Sequence, residues 1–416
     1  MNVEPANAYI EFHELLEAYF RCRKNKRRTH NALAFELDYE ANLVTLWNEI
    51  NDGTYRPGKS IAFIVNKPVK REIFAADFKD RIVHHLIISK LNPLFEQLFI
   101  FDSYACRTGK GTLFGIKRLE RFIRRASANY SRDAYVLKLD IRGFFMHINV
   151  EILHAKLMEF IQSRYVEADK ELLMSLTKVV LFNNPSQNCV IKGARSGWDG
   201  LPRDKSLFYS PVNCGLPIGN LSSQVFANFY LNGFDHFIKK NCDIKFYGRY
   251  VDDFVLVHQD GQYLRSLIPV IRSYLLRELG LALHPNKIYL QRYEKGVAYL
   301  GVVIKPGRVY VGKRIKANFY RSIQKHNQLL AAFGKGKPDI LARQSFQSSM
   351  NSYLGIMGHH NTHRLRKSMV SKNVQGWWRF AFVNGGVTKF VLKPWPGLGH
   401  RLFRGYLQFF VHQSGS

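Results

Sequence analysis

Ile244-Lys245-Phe246-Tyr247-Gly248-Arg249-Tyr250-Val251-Asp252-Asp253-Phe254-Val255-Leu256-Val257 sets two adjacent carboxylates between two β-prone runs. That pattern predicts a hairpin with the acids at its tip. Gly248 helps the backbone bend. Unpaired neighbouring carboxylates repel each other and resist burial, so they make most chemical sense beside a divalent cation. An Asp-Asp pair alone also fits a plain polar turn. The rest of the chain has to decide.

Upstream, Ala134 to Leu139 reads as a second strand, running into Asp140-Ile141-Arg142-Gly143-Phe144-Phe145. A carboxylate at a strand end suits a metal ligand, and at least one of the two phenylalanines belongs to the core. Val150 to Val166 and Lys170 to Phe182 read as helices. Residues 183–210 form a long polar loop. It leads into Gly215-Leu216-Pro217-Ile218-Gly219-Asn220-Leu221-Ser222-Ser223-Gln224 and a helix from Gln224 to Lys239. Gly219 allows the backbone close to a ligand.

Downstream of the acids, Tyr263 to Leu279 is a helix and Leu281 to Lys287 a strand with a turn. Val297 to Ile304 and Val309 to Val311 form a small hairpin around Pro306-Gly307. Towards the N-terminus, Asp80 to Phe99 carries an apolar helical stripe, Ser60 to Asn66 is β-like, and residues 1–60 read as helical and basic. The run Arg21 to Arg28 is either a solvated helix end or a phosphate-contacting arm. Ser103 to Thr112 (SYACRTGKGT) is a loop of small and basic residues without the P-loop pattern.

Lys and Arg total 61 against 32 Asp and Glu, a net charge of +29 over 416 residues. That balance points to a polyanion, most simply nucleic acid. The five cysteines are dispersed and include no CxxC pair, which argues against a zinc site or a disulfide framework and fits a reducing cytoplasm. No leader and no run long enough to span a bilayer is visible, so no membrane is expected. From Lys313 onward there are 17 Lys and Arg residues and a single acid, Asp339. This segment reads as a separate basic region. It either grips a duplex by its phosphates, with the aromatics of Gln375 to Phe380 and Phe403 to Phe410 stacking on bases, or packs as a basic bundle.

These stretches, taken in order from Lys67 to Lys367, resemble the reverse transcriptases. Lys67 to Ile73 and Ser103 to Lys117 are similar to the fingers motifs, and Lys138 to Ile148 (KLDIRGFFMHI) to the first palm motif. Gly215 to Gln224 resembles the second, Tyr250 to Asp253 the YxDD box, and Leu281 to Lys287 the next palm motif. Tyr299-Leu300-Gly301 resembles the primer grip, and Ser352 to Arg366 the start of a helical thumb. The second palm motif ends in Ser223-Gln224, where group II intron enzymes carry Ser-Pro. That ending is similar to diversity-generating retroelement enzymes and to related unknown-group bacterial enzymes, some of them antiphage defence systems.

The resemblance implies an α+β right-hand polymerase: fingers, a palm of antiparallel sheet plus helices, and a helical basic thumb. It divides the chain into an N-terminal extension (1–60), fingers and palm (61–312), and thumb with C-terminal extension (313–416). It implies magnesium, with manganese as the alternative, held by Asp140, Asp252, Asp253 and the Ile141 carbonyl. Lys287 matches the lysine that protonates the leaving pyrophosphate. Phe145 matches the aromatic that excludes a 2′-OH. Lys70, Arg71, Gly219 and Gln224 would contact the incoming dNTP. Arg107, Lys110, Tyr250, Lys313, Arg314, Arg364, Arg366 and Lys367 would contact nucleic acid. The remaining Asp and Glu residues read as surface. The expected function is RNA-directed DNA synthesis, copying a dedicated noncoding RNA into DNA in antiphage defence. Diversification, template-independent synthesis and an inactive RNA-binding scaffold are the rival readings. An accessory protein or a homo-oligomer is left open.

Overall fold

The computed structural model describes residues 9–24, 29–66, 69–334 and 336–394. The end of the basic run at Arg28, Lys67-Pro68 and the cluster Phe403 to Phe410 lie outside the described residues. The chain divides into two compact units, Met1–Lys295 and Gly296–Ser416.

The first unit has seven strands among the described residues. They are β1 (Ser60–Val65), β2 (Arg71–Ala75), β3 (Tyr135–Asp140), β4 (Cys189–Ile191), β5 (Phe246–Tyr250), β6 (Asp253–His258) and β7 (Tyr289–Arg292). The central sheet runs β5-β6-β3-β7, with every neighbouring pair antiparallel. Phe254 to Val257 are all buried, so β6 is covered on both faces, which is why it reads as a continuous apolar run. Helix Gly261–Leu279 packs Leu264, Ile271 and Leu275 into the same core as Leu137, Leu139, Phe254 and Leu256. Helix Thr112–Ala126 lies against β5 and β6.

A smaller sheet has the order β2-β1-β4, with β1 antiparallel to β2 and parallel to β4. Glu72 on β2 is buried and accepts from Trp198 Nε1 (2.6 Å), Ser206 Oγ (2.7 Å) and the Leu207 N–H (2.6 Å). One carboxylate thereby anchors the polar loop of residues 183–210. The expectation that the remaining acids lie on the surface fails here. Glu72, Asp80, Asp102, Asp169 and Asp235 are all buried, each with a hydrogen-bond or cationic partner that repays its desolvation. N-terminal helices Phe12–Arg23 and Tyr39–Asn51 complete the unit, the first packing on the long helix Phe78–Leu98.

Other boundaries differ from the sequence reading for local reasons. Residues 281–287 are an irregular return, joined to the end of β3 by a single bridge, Ile141 to Leu283; the strand begins only at Tyr289. The helix read over Gln224 to Lys239 is two helices, Leu221–Tyr230 and Asn232–Lys240.

The second unit opens with a three-stranded meander, β8 (Val297–Tyr299), β9 (Val302–Lys305) and β10 (Arg308–Val311), where a hairpin was expected. Helices Lys313–Ala332, Ile340–Gly358 and His363–Asn373 follow, then the hairpin β11 (Ala381–Val383) and β12 (Phe390–Leu392). Its core stacks Trp377 on Phe346 at 4.2 Å and 1°. Trp377 is wholly buried and donates Nε1–H to the His326 carbonyl. This aromatic cannot stack on a base as expected, because its faces are already used in the core.

Candidate active site

The hairpin β5–β6 closes through a two-residue turn, Val251-Asp252, with Tyr250 paired to Asp253. Val251 has φ +56°, the left-handed region at a turn position that usually takes glycine. For a β-branched residue this costs about 1–2 kcal/mol. The turn is held from beneath. Arg249 is fully buried and donates Nη1–H to the Val251 carbonyl (3.0 Å). The same guanidinium grips buried Asp235 through Nε (2.7 Å) and Nη2 (2.6 Å), and Asp235 also accepts from Tyr247 Oη (2.6 Å). Loop 102–105 is laced to this strand: Arg249 N–H donates to the Asp102 carbonyl and Tyr104 N–H to the Arg249 carbonyl. Gly248 serves packing rather than bending, since a Cβ there would lie 2.2 Å from Tyr104 Oη.

At the same end of the sheet, Asp140 on β3 lies directly opposite Asp253 on β6. Strand register thereby brings Asp140 to the same end of the sheet as Asp252 and Asp253, more than a hundred residues later in the chain. Burial, then the charges of Asp140 and Asp253, push the Asp252 carboxyl up to about 7. Burial also raises Asp253, with Lys138 opposing and Asp140 adding. Lysines answer two of the three acids. Lys287 Nζ lies 2.9 Å from both oxygens of Asp140, and Lys138 Nζ lies 3.2 Å from Asp253. Burial lowers the Lys287 ammonium, but the hydrogen bonds and charge of Asp140 outweigh it and the net shift is upward. Among the described residues, no three His, Cys, Asp or Glu side chains form a metal cage by themselves. The donor set still suits magnesium, which takes hard oxygens, few protein carboxylates and the phosphates of a substrate. The Ile141 backbone is fixed beside it by the bridge to Leu283.

The other expected residues divide. Phe144 is core, while Phe145 is partly exposed and packed edge-on against it. Gln224 is exposed and accepts from the Cys106 thiol (3.1 Å). Tyr250 is half-buried and Arg71 exposed. The Lys70 ammonium donates to the Asp199 carbonyl (2.6 Å). Gly219, at φ +129°, makes its close approach to protein and not to a ligand. A Cβ there would lie 2.9 Å from Ile73 Cγ2 and 3.0 Å from the Phe74 carbonyl.

Three expected nucleic-acid contacts are spent inside the protein. Arg107 is paired to Glu96 (2.7 Å) and bonded to the carbonyls of Ile100 and Ser103. Lys110 donates to the Phe101 carbonyl and sits 4.6 Å over its ring. In the second unit Arg366 is buried and donates to the carbonyls of Gly386 and Val387. Lys313, Arg314, Arg364 and Lys367 are exposed.

Sequence reading missed Lys138, Arg249, Asp235 and Asn228, which adds its side-chain carbonyl to Arg249 and its amide to the Ala105 carbonyl. Lys138 carried a signal: two residues before Asp140 on a strand, it shares that face. Arg249 carried a weaker one, as a cation inside an otherwise apolar strand.

The family described as reverse transcriptase (RNA-dependent DNA polymerase) matches residues 66–304. Comparison with curated proteins gives no match. Among solved structures, the chain is similar to telomerase from Candida albicans in complex with a fragment of telomeric RNA, at 12% identity and TM-score 0.41. That likeness covers 77% of this chain and 57% of the other. It is also similar to an apo telomerase from Candida tropicalis truncated from its C-terminal domain, at 13% identity and TM-score 0.43, covering 64% of this chain and 60% of that one. The chain thus spans less than two thirds of either.

Arg249→Met strands the Asp235 charge in the core and should lower unfolding free energy by about 3–5 kcal/mol; Arg249→Met with Asp235→Leu should recover part of it. Urea denaturation of the three proteins checks this. A carboxyl whose folded pKa is raised favours folding only while protonated. Without metal, the Asp252 contribution should therefore be lost as pH rises from about 4 towards 7. Solvent screening of this part-exposed group limits the effect to about 1–2 kcal/mol. Melting in chelator should show Asp252→Asn stabilising the protein at pH 8 and not at pH 4.

Proposed function

The chain belongs to the reverse transcriptase (RNA-dependent DNA polymerase) family, and from that premise we propose that it extends a DNA primer on an RNA template at the tip of the four-stranded sheet. Its α+β fold of helices and antiparallel sheets is the polymerase fold of that family. The observation that carries the proposal is the meeting of Asp140, Asp252 and Asp253 at one sheet end, with Asp252 outside every ion pair among the described residues.

In this reading Asp140 and Asp252 would hold magnesium, or manganese, and a metal there would supply activation of the primer hydroxyl and neutralisation of triphosphate charge. The Ile141 carbonyl and Asp253 stand beside them. Lys287, whose ammonium lies 2.9 Å from Asp140 in the metal-free protein, is the donor to the leaving pyrophosphate. Phe145 lies under the sugar of the incoming nucleotide and excludes a 2′-OH. Arg71 and Lys70 bind its phosphates, and Gln224 lines the nascent base pair. Residues 1–60 form an N-terminal extension, 61–312 fingers and palm, and 313–416 the thumb and its extension. The exposed cations Lys313, Arg314, Arg364 and Lys367 grip the duplex backbone.

The finer reading is a dedicated noncoding RNA copied into DNA for antiphage defence, in the cytoplasm. The Ser223-Gln224 ending and the basic extension support it. Among the described residues no helix is long and apolar enough to cross a membrane.

Purified protein with an RNA template, DNA primer and dNTPs should make DNA that RNase pretreatment of the template abolishes. Asp252→Ala/Asp253→Ala should reduce synthesis to background without changing the melting profile. Synthesis that survives either treatment would overturn, respectively, the RNA-templated reading or the site. RNA sequenced from material copurified from cells should contain one dominant small species matching the DNA. Phe145→Val should relax discrimination against ribonucleotides by about 10–200-fold, read from the ratio of kcat/KM for dNTP and rNTP.

A further inference from the structure

Lys138 has no role in the chemistry described so far, yet its ammonium lies at the acid cluster. It stands two residues before Asp140 and so projects from the same face of β3. Directly across on β6 is Val255, and the side chain reaches along the sheet to Asp253, the diagonal neighbour, at 3.2 Å.

The two lysines of the cluster are mounted differently. Lys287 sits in the return between helix Gly261–Leu279 and β7, in a turn closed by its N–H to the His284 carbonyl, and its side chain is 44% exposed. Its pair with Asp140 is therefore open to solvent on one side. Lys138 is in the middle of a strand paired on both sides, to Val255 of β6 and Tyr289 of β7, and its side chain is 21% exposed. It stays at Asp253. Asp252 makes no ion pair among the described residues. A divalent cation arriving at this edge thus meets one carboxylate whose pair is open to solvent, one that is unpaired, and one that is held.

We propose that Lys138 is a positioning residue that withholds Asp253 from the metal, so that divalent cations are taken on Asp140 and Asp252 alone. This rests on the reading of these acids as a metal site. Its chemical sense is coordination number. Magnesium in a nucleotidyl-transfer site keeps positions for substrate phosphates, and a third protein carboxylate would fill one of them and tighten the ion in the resting enzyme. A fixed ammonium at Asp253 prevents this without removing the acid.

The test is Mn2+ binding to the full-length protein without nucleotide or nucleic acid, followed by electron paramagnetic resonance of the free ion. Lys138→Met should bind Mn2+ about 10-fold more tightly than the unsubstituted protein. Lys138→Arg, which keeps the cation, should not. The tightening should vanish when Lys138→Met is combined with Asp253→Asn, because the freed carboxylate is its cause. Unchanged or weaker binding in Lys138→Met, with an intact melting profile, overturns the proposal. So does tightening that persists beside Asp253→Asn. Should Lys138→Met fail to fold, Lys138→Gln carries the same comparison. If Asp252→Asn leaves Mn2+ binding unchanged, the metal-site reading itself falls, and this inference with it.

Discussion

The buried pair between Arg249 and Asp235 is the constraint on which the hairpin depends. Two charges in a dry core are costly unless every donor and acceptor is used. Here they are: the guanidinium spans Asp235, Asn228 and the Val251 carbonyl, and Asp235 takes the Tyr247 hydroxyl as well. The pair therefore does more than satisfy itself. It fixes the carbonyl of a residue that would otherwise avoid positive φ, and so sets the angle at which Asp252 leaves the sheet.

From that fixed tip the electrostatics follow. Asp140 and Asp253 are brought opposite one another by strand register, and the buried run of β6 specifies that register strongly. The resulting repulsion cannot relax by movement of the backbone. It is answered by Lys138 and Lys287 and, at Asp252, by a raised proton affinity. The charge is thus answered by a lysine at Asp140, a lysine at Asp253 and a proton at Asp252.

Much of this was legible in the sequence, and the reason is periodicity. The β5–β6 hairpin and the strand ending in Asp140 carry unbroken apolar runs, and the three acids interrupt those runs where burial would forbid them without cause. What stayed hidden concerns the buried acids away from the site, such as Glu72 and Asp235, together with cations and glycines. Arg107, Arg249 and Arg366 look like surface charge in one dimension, yet a planar fork of five N–H groups matches backbone carbonyls as well as phosphates. Only the fold says which it meets. Gly219 needed space, as read, but the neighbour occupying that space comes from β2, some 145 positions earlier. The return over 281–287 read as a strand because its apolar residues alternate, whereas only Leu283 bridges to β3.

The close approach at Gly219 has a mechanical side. Within three residues, the Phe74 N–H donates to the Ile218 carbonyl (2.8 Å), the Ala76 N–H donates to Asn220 Oδ1 (3.1 Å), and Gly219 rests on Phe74. Asn220 then begins the helix that carries Gln224. The strand bearing Arg71 and the helix bearing Gln224 are therefore riveted side by side, with no compliant joint in the rivet. A shift of the strand would pass to the helix over a lever arm of a few residues, through the backbone at Ile218 and Gly219 and the side chain of Asn220.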